Sequence, residues 1–432
     1  MRFAQSRKES AIYLALALVI VLLASLQSDP VEEIERTASI PATVCPKFDD
    51  EVRATALLPS NKSAIKAASS RKPDFRRARV NPYPLNNSSV VVEGSEVTSV
   101  ALRSRSNAFT AATNCLIGDG NQWFVGGSAG LGSRSRILAI NSGLSASSLE
   151  IFAYDRSGPA GSRAITIPAA SQREIRVDSL APGAEATAVR VVTRSGRVSA
   201  YLFDERSRGL RTLGGDFIAS QSPVTELTIA AIPASLGGRS ITNHRIEIIA
   251  TGNRAAIVDV ELLSGGSRFT PVGLSEVTVE PGQVKRLRLP AELGRRSAGI
   301  IITSTEEVTA AVISSTANEF SWATPSIAQR SHQFNVGGLE PTLSFVAKAI
   351  RVTIEVTTRN GKKSRKVVTG SEIATWKVPA NSRRVVISSS ALVHMGAHWS
   401  TADGFTSLAL NPGTELERSS TPTFDIDALL DR

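Results

Sequence analysis

The stretch VRVVTRSGRVSAYLFDE, from Val189, returns in altered form as GIIITSTEEVTAAVISS from Gly299 and as VVISSSALVHMGAHWS from Val385. Each copy is a β-branched strand, a short polar turn, and a strand of alternating small and large residues. Similar lead-ins precede all three: PAASQREIRV from Pro168, PGQVKRLRL from Pro281 and PANSRRVVI from Pro379. Matching arms open two of the units, ILAINSG from Ile137 and IEIIATG from Ile246. Such self-similarity marks a structural unit used repeatedly, and units of roughly 80 to 110 residues are each large enough for a core of their own. A propeller would require shorter and more uniform blades.

Between the copies the apolar residues recur with period two, as in RILAIN from Arg136, LEIFAY from Leu149 and REIRVDSL from Arg173. Alternation of this kind puts one face of a strand in a core and the other in water. It begins at VVVEGSEVTSVALRS, from Val90, which alternates around a turn at Gly94. Turn formers interrupt it about every 8 to 12 residues, the spacing of a sandwich. CLIGDGNQWFVGG, from Cys115, reads as a hairpin around Gly118, Asp119 and Gly120. Aromatics make up only 5% of the chain, which suits small-residue sandwiches better than helical bundles.

Helical character is confined to the start. Arg2, Arg7 and Lys8 precede the charge-free run AIYLALALVIVLLASL, from Ala11 to Leu26. That run spans roughly 24 Å as a helix, short for a bilayer but workable with its flanks. Basic residues on its N-terminal side keep that end in the cytoplasm. The exit ASLQSDP, from Ala24, offers no clean small-residue cleavage site, so an uncleaved signal anchor is expected rather than a cleaved signal peptide. The expected localisation is a single-pass membrane protein with its bulk outside the cytoplasm.

The two cysteines, Cys45 and Cys115, both lie in the exported part. An even pair in an oxidising compartment is most simply a disulfide; two separate buried thiols are the alternative. The expected fold class is all-β, with tandem immunoglobulin-like β-sandwich units after a single N-terminal transmembrane helix. The expected boundaries are residues 1–27 for the cytoplasmic tip and anchor, 28–80 for a charged, weakly ordered stalk, 81–220, 221–325 and 326–415 for three sandwiches, and 416–432 for a tail.

A net charge of +10 invites a nucleic-acid reading, but the basic residues are dispersed and no aromatic–basic platform accompanies them. Anionic cell-wall polymer, the membrane through the N-terminal helix, and other envelope proteins are the expected partners; nucleic acid is not. GGSAG, from Gly126, matches the serine-nucleophile turn at Ser128. The next residues, GLGSRSRILAINSG, lead to another strand and not to the helix an elbow needs. A glycine turn that lets Trp123 and Phe124 pack, with Gly126 and Gly127, is the expected role. Phosphate-binding glycine loops are absent. His394 and His398 alternate with Val393, Met395, Ala397 and Trp399, so they read as exposed on the polar face of a strand. Four residues apart on a strand is about 13 Å, too far to share a metal. No catalytic, cofactor-binding or metal-ligating residue is expected.

These features together resemble a family of actinobacterial envelope proteins of unknown function. The resemblance rests on Cys45–Pro46, on Cys115 ahead of WFVGG from Trp123, and on repeated V-x-V/turn/V-x-A strands such as VRVVTRSGRVSA and IIITSTEEVTA. It covers roughly residues 40 to 410 and implies an exported, envelope-associated protein, with no activity to transfer. The expected function is a structural or interaction component of the envelope. A carbohydrate-binding module using exposed tryptophans is the first rival, and a hydrolase using Ser128 or a carboxylate pair the second.

Overall fold

A computed structural model of the chain describes residues 42–412, apart from 49–51, 73, 86–87, 234, 237–238, 242, 291–292 and 294–297, together with Ala15, Leu16, Leu18 and Val19. The last four are helical and exposed. The rest of the expected anchor lies outside the described residues, among which no helix is long and apolar enough to cross a membrane. Ile40–Glu415 forms one compact unit. It is built of β-strands, with a 3-10 turn at Val177–Ser179.

The first module is built from β1 (Thr43–Cys45), β2 (Arg53–Leu57), β3 (Ala64–Ala67), β4 (Arg76–Arg77), β5 (Tyr83–Pro84), β6 (Val90–Val92), β7 (Val100–Arg105) and β8 (Phe109–Asn114). Its two sheets have the orders β4-β3-β6-β1 and β5-β2-β7-β8. The second module consists of β9 (Asn121–Val125), β10 (Arg136–Asn141), β11 (Ser147–Asp155), β12 (Gly158–Ile167), β13 (Ser171–Arg176), β14 (Ala188–Ser195), β15 (Val198–Arg208) and β16 (Arg211–Ile218). Its orders, β12-β11-β14-β9 and β13-β10-β15-β16, repeat those of the first strand for strand.

The third module continues as β17 (Val224–Ile232), the small hairpin β18 (Ser235–Leu236) and β19 (Arg239–Ser240), then β20 (Asn243–Ala250), β21 (Ala256–Ser264), β22 (Ser267–Phe269), β23 (Val277–Val279), β24 (Val284–Arg288), β25 (Ala298–Ser315) and β26 (Phe320–Ala323). The fourth has β27 (Gln329–Asn335), β28 (Thr342–Thr358), β29 (Lys363–Lys377), β30 (Ser382–Ser400) and β31 (Phe405–Ala409). Here long strands serve both layers. The first half of β25 pairs with β17 and β21, and its second half with β20 and β26. Likewise β28 and β30 pair once near Phe345–Met395 and again near Ile354–Ile387, and β29 follows β28 through both layers. With these long strands counted as two, all four modules share one strand order.

The sequence expectation of three units therefore undercounts the described residues by one. In place of a weakly ordered stalk, residues 42–80 supply the first four strands of a sandwich. Its core contains Ile65, Leu58, Leu85, Val90 and Val92 around the Cys45–Cys115 disulfide. This module is small and its strands short, so the staple compensates for a limited core. The expected hairpin at Gly118–Gly120 is also absent: β8 and β9 lie in different sheets, and the residues between them link two modules.

Period-two burial explains the layers. Along β11 the residues Leu149, Ile151 and Ala153 are buried and their neighbours are half-exposed. In β15 the alternation of polarity is lost because both faces are covered. Val198, Ala200 and Leu202 fill the second module's core, while Tyr201 and Phe203 fill a separate core against Phe48, Val91 and Phe109 of the first. The same arrangement holds around the unit. On β25, Ala310 and Val312 face their own core while Ala311 and Ile313 join that of the second module. On β30, Gly396 lies against Ala231 of the third module. On β7, Val100 packs into the fourth module's core. Four modules thus close into a ring. The rhythm of small and large residues in the repeated strand has its cause here, since a neighbouring module must approach one of its faces closely.

Candidate functional site

The last strands of the modules, β8, β16, β26 and β31, pack on one another at the centre of the ring. Asp216 of β16 is fully buried there. Its carboxylate accepts from the backbone N–H of Trp322 on β26 at 2.8 Å and from the hydroxyl of Thr406 on β31 at 2.9 Å. Thr406 Oγ1 in turn accepts from Ala112 N of β8 at 3.1 Å. Burial pushes the Asp216 carboxyl well above its usual range, while these hydrogen bonds pull it back.

The residues leaving each central strand meet at one end of this bundle. Cys115–Asp119, Ala219–Ser222, Pro325–Ala328 and Asn411–Pro412 line a single cavity of about 770 Å³, completed by Glu93, Val97–Ser99, Gln122, Glu226–Thr228 and His394 among others. All four modules contribute. The volume lies within the range of about 300 to 1,000 Å³ typical of ligand sites.

The wall is more apolar than polar, and uncharged amides stand among its buried residues. Asn114 fixes one end of its amide by donating to Ala409 O at 2.8 Å, and its Oδ1 has no partner among the described residues. Gln221 accepts from Ala310 N at 3.2 Å, and its Nε2 is without a partner among them. Gln122 makes the equivalent bond one module earlier, accepting from Ala200 N at 3.2 Å. A buried glutamine in or just before the first strand, bonded to the seventh, is thus a repeated device. Sequence reasoning misses it, although glutamine at Gln122, Gln221 and again Gln329 is the available signal. Glu93, Asp119 and Glu226 are exposed carboxylates on the lining, and no lysine or arginine occurs among the described lining residues. His394 is held through Nδ1 at 2.6 Å from Ser326 O, and burial lowers its pKa.

The residues singled out from sequence are scattered. Cys45 and Cys115 form the disulfide, and Cys115 also lies on the cavity wall. Trp123 and Phe124 are buried in the second module's core, with Trp123 stacked on Tyr154 at 5.3 Å. Gly126 has φ 126° and supports Trp322 of the next module: a Cβ there would stand 2.8 Å from the indole. Gly127 has φ 90° and would crowd Ser135 Oγ at 2.9 Å. Ser128 is buried; its hydroxyl donates to Ala184 O and accepts from Gly130 N, both at 3.2 Å. Those bonds cap a turn and leave the oxygen engaged with backbone.

His394 and His398 do lie on a strand, but the expectation that they are exposed is corrected. His398 is buried and His394 half-buried, because that face of β30 packs toward the third module. Burial lowers the pKa of His398 to about 4. Among the described residues no group of His, Cys, Asp and Glu could hold a metal ion. Trp322 and Trp399 are buried in cores and Trp376 is half-buried against one, so Trp123, Trp322 and Trp399 present no free face to a sugar.

No curated protein matches this sequence. Among solved structures it is similar to a major pilin of Streptococcus pyogenes at 9% identity and a TM-score of 0.16, covering 64% of this chain and 99% of that one. Similar too is the α-L-rhamnosidase of Streptomyces avermitilis, at 7% identity and a TM-score of 0.15, with 81% of this chain and 53% of that chain covered. The pilus adhesin SpaC of Lactobacillus rhamnosus GG gives 8% and 0.11, over 88% and 57%. At these scores none bears on function. The family of unknown function DUF5719 matches residues 87–381, and the chain belongs to that family.

Proposed function

We propose that this chain is a non-catalytic structural and binding component of a bacterial cell envelope. Its immunoglobulin-like modules stand outside the cytoplasm, and the apolar segment from Ala11 to Leu26 holds them at the membrane. The observation that carries the reading is the cavity where the exits of all four central strands converge, built from side chains that bond and orient rather than react. The basic residues before the apolar run, the paired cysteines and the engagement of the Ser128 hydroxyl with backbone support the same view. A chain whose modules share cores around a closed ring is a rigid frame, suited to holding one site in fixed shape.

A photo-crosslinking residue tests this. In place of Ile327, exposed at the cavity, it should capture a component of intact envelopes. The same residue in place of Val272, exposed but not on the cavity lining, should capture nothing comparable. Equal labelling at both positions, or none at Ile327, would refute the cavity as the working site.

A further inference from the structure

We infer that the outer tip of the second module, carrying Leu131 and Leu210 beside Arg134, Arg208 and Arg211, seats in the headgroup region of an anionic lipid bilayer. The tip is separate from the cavity, and its role goes beyond the proposed function. Leu131 and Leu210 are 108% and 107% exposed. Among the large apolar side chains of the described residues, only Val272, at 105%, is as open. Backbone pairing holds the two leucines at one place. Ser207 donates its N–H to Gly132 O and Arg134 donates to Glu205 O, both at 2.7 Å, around an antiparallel bridge between Ser133 and Arg206. That register sets Leu131 level with Arg208, and Arg208 pairs with Arg211 across the turn that holds Leu210. Gly132, with φ 79°, permits the approach, since a Cβ there would stand 2.3 Å from Ser207 O. Gly209, with φ 59°, takes the first turn position and leaves the second to Leu210. A polar residue serves that position equally well, so the fold itself has no use for the leucine.

Charge identifies the surface that covers it. Arg134, Arg208 and Arg211 are exposed, and none is in an ion pair among the described residues. The carboxylates behind them are engaged, Glu205 with Arg105 and Arg136, and Asp204 with Arg206. Glu185 stands beside Gly130, one residue before Leu131, and is outnumbered by the three guanidinium groups. Guanidinium groups take phosphate oxygens in pairs. Leucines flanked by arginines suit the boundary between headgroups and acyl chains. Two leucine side chains fall far short of the roughly 800 Å² per partner that a stable protein interface buries, whereas a bilayer requires only that they enter it. The net charge of +10 draws the chain toward anionic surfaces. Strand β9 leads from Gln122 on the cavity wall toward Leu131, and β16 runs from Arg211 to Ile218, next to Ala219 on that wall. Tip and cavity thus sit at opposite ends of the same strands, about 26 Å apart along β16, so a tip in the bilayer leaves the cavity clear of it.

The test is depth-dependent quenching on the full chain in vesicles of equal parts phosphatidylglycerol and phosphatidylcholine, with a nitroxide on the acyl chains. Because Cys45 and Cys115 are joined, a cysteine introduced by Leu210→Cys or Val272→Cys takes a nitrobenzoxadiazole label alone. Val272 is equally open but has no basic neighbour from Thr270 to Glu276. We expect quenching at position 210 and little at 272. It should fall by at least about half when Arg134→Gln, Arg208→Gln and Arg211→Gln are added, and likewise with Leu131→Ser. All four of those positions are exposed, so folding is kept, and an unchanged melting temperature checks this. Equal quenching at 210 and 272, or none at either, would overturn the inference. Quenching that persists in full without the arginines, or in phosphatidylcholine alone, would overturn the anionic assignment. Photo-crosslinking at Ile327 reads the cavity separately, so neither result touches that reading.

Discussion

Thr406 donates its hydroxyl to Asp216 at 2.9 Å and, through the same oxygen, accepts from Ala112 N at 3.1 Å. With Trp322 N on the other carboxylate oxygen at 2.8 Å, that pair ties the central strands of four modules into one hydrogen-bonded knot. The residues concerned are 294 and 190 positions apart in sequence, so the knot joins strands that only the tertiary fold brings together.

Replacing Asp216 with Ala strands the Trp322 and Phe217 N–H groups and the Thr406 hydroxyl in a buried interior. We expect a loss of about 3 to 5 kcal/mol in urea unfolding, and about 1 to 2 kcal/mol for Thr406→Val. The two substitutions should be strongly non-additive in a double-mutant cycle, because they remove the same bond. Simple additivity would show that the knot contributes nothing as a unit.

Gly126→Ala should destabilise by roughly 2 to 4 kcal/mol. The new methyl meets the Trp322 ring at 2.8 Å, and φ of 126° is a region that L side chains rarely adopt. Trp322 fluorescence should shift as the indole is displaced. An unchanged melting temperature would mean that the second and third modules do not share the core described.

Stability should fall as pH rises from about 6.5 to 8. Burial raises Glu319 to about 8, Glu247 to about 7 and Asp216 well above its usual range, so the folded state resists their ionisation and loses stability as pH climbs from the unfolded carboxylate range through those values. His244, His332 and His398 behave oppositely. Held near 4 by burial, they favour folding above the unfolded pKa of about 6.5 and lose that contribution as pH falls toward 4. Between about 4.5 and 6.5 the two sets oppose each other and the curve flattens. Glu319→Gln, which keeps an acceptor for Phe405 N, should remove much of the alkaline decline in a melting series. A decline of the same size in that variant would exclude Glu319 as its source.

Reducing Cys45–Cys115 releases a 70-residue loop. Chain entropy alone puts its contribution at about 4 kcal/mol, and the cost falls first on the small first module. Reduced protein should be cleaved by trypsin near Lys62 and Lys66 well before the rest of the ring is cut. Even cleavage across all modules would mean that the first does not unfold separately.

Local pattern along the chain is enough to specify the all-β class and the position of the repeated strand pair, whereas the pairing of the two cysteines, favoured by their even number, is decided by the fold. Period-two alternation and composition are properties of short stretches, and they survive whatever the rest of the fold does. VVVEGSEVTSVALRS, from Val90, announces the strand pair of the first module in this way. The strands before it, up to Arg77, are short and set among charges, so they carry too little alternation to be told from a stalk. The Asp-Gly turn at Asp119 reads as a hairpin because turn chemistry is local, whereas the choice of partner strand depends on which core each strand joins. Which polar faces are buried, as at His398 and along β15, is settled by the tertiary structure alone, since a second face is covered only when another module arrives. The same holds for the cavity. Its walls come from linkers separated by about a hundred residues of strand at a time, and no pattern along the chain records that ring closure brings them together.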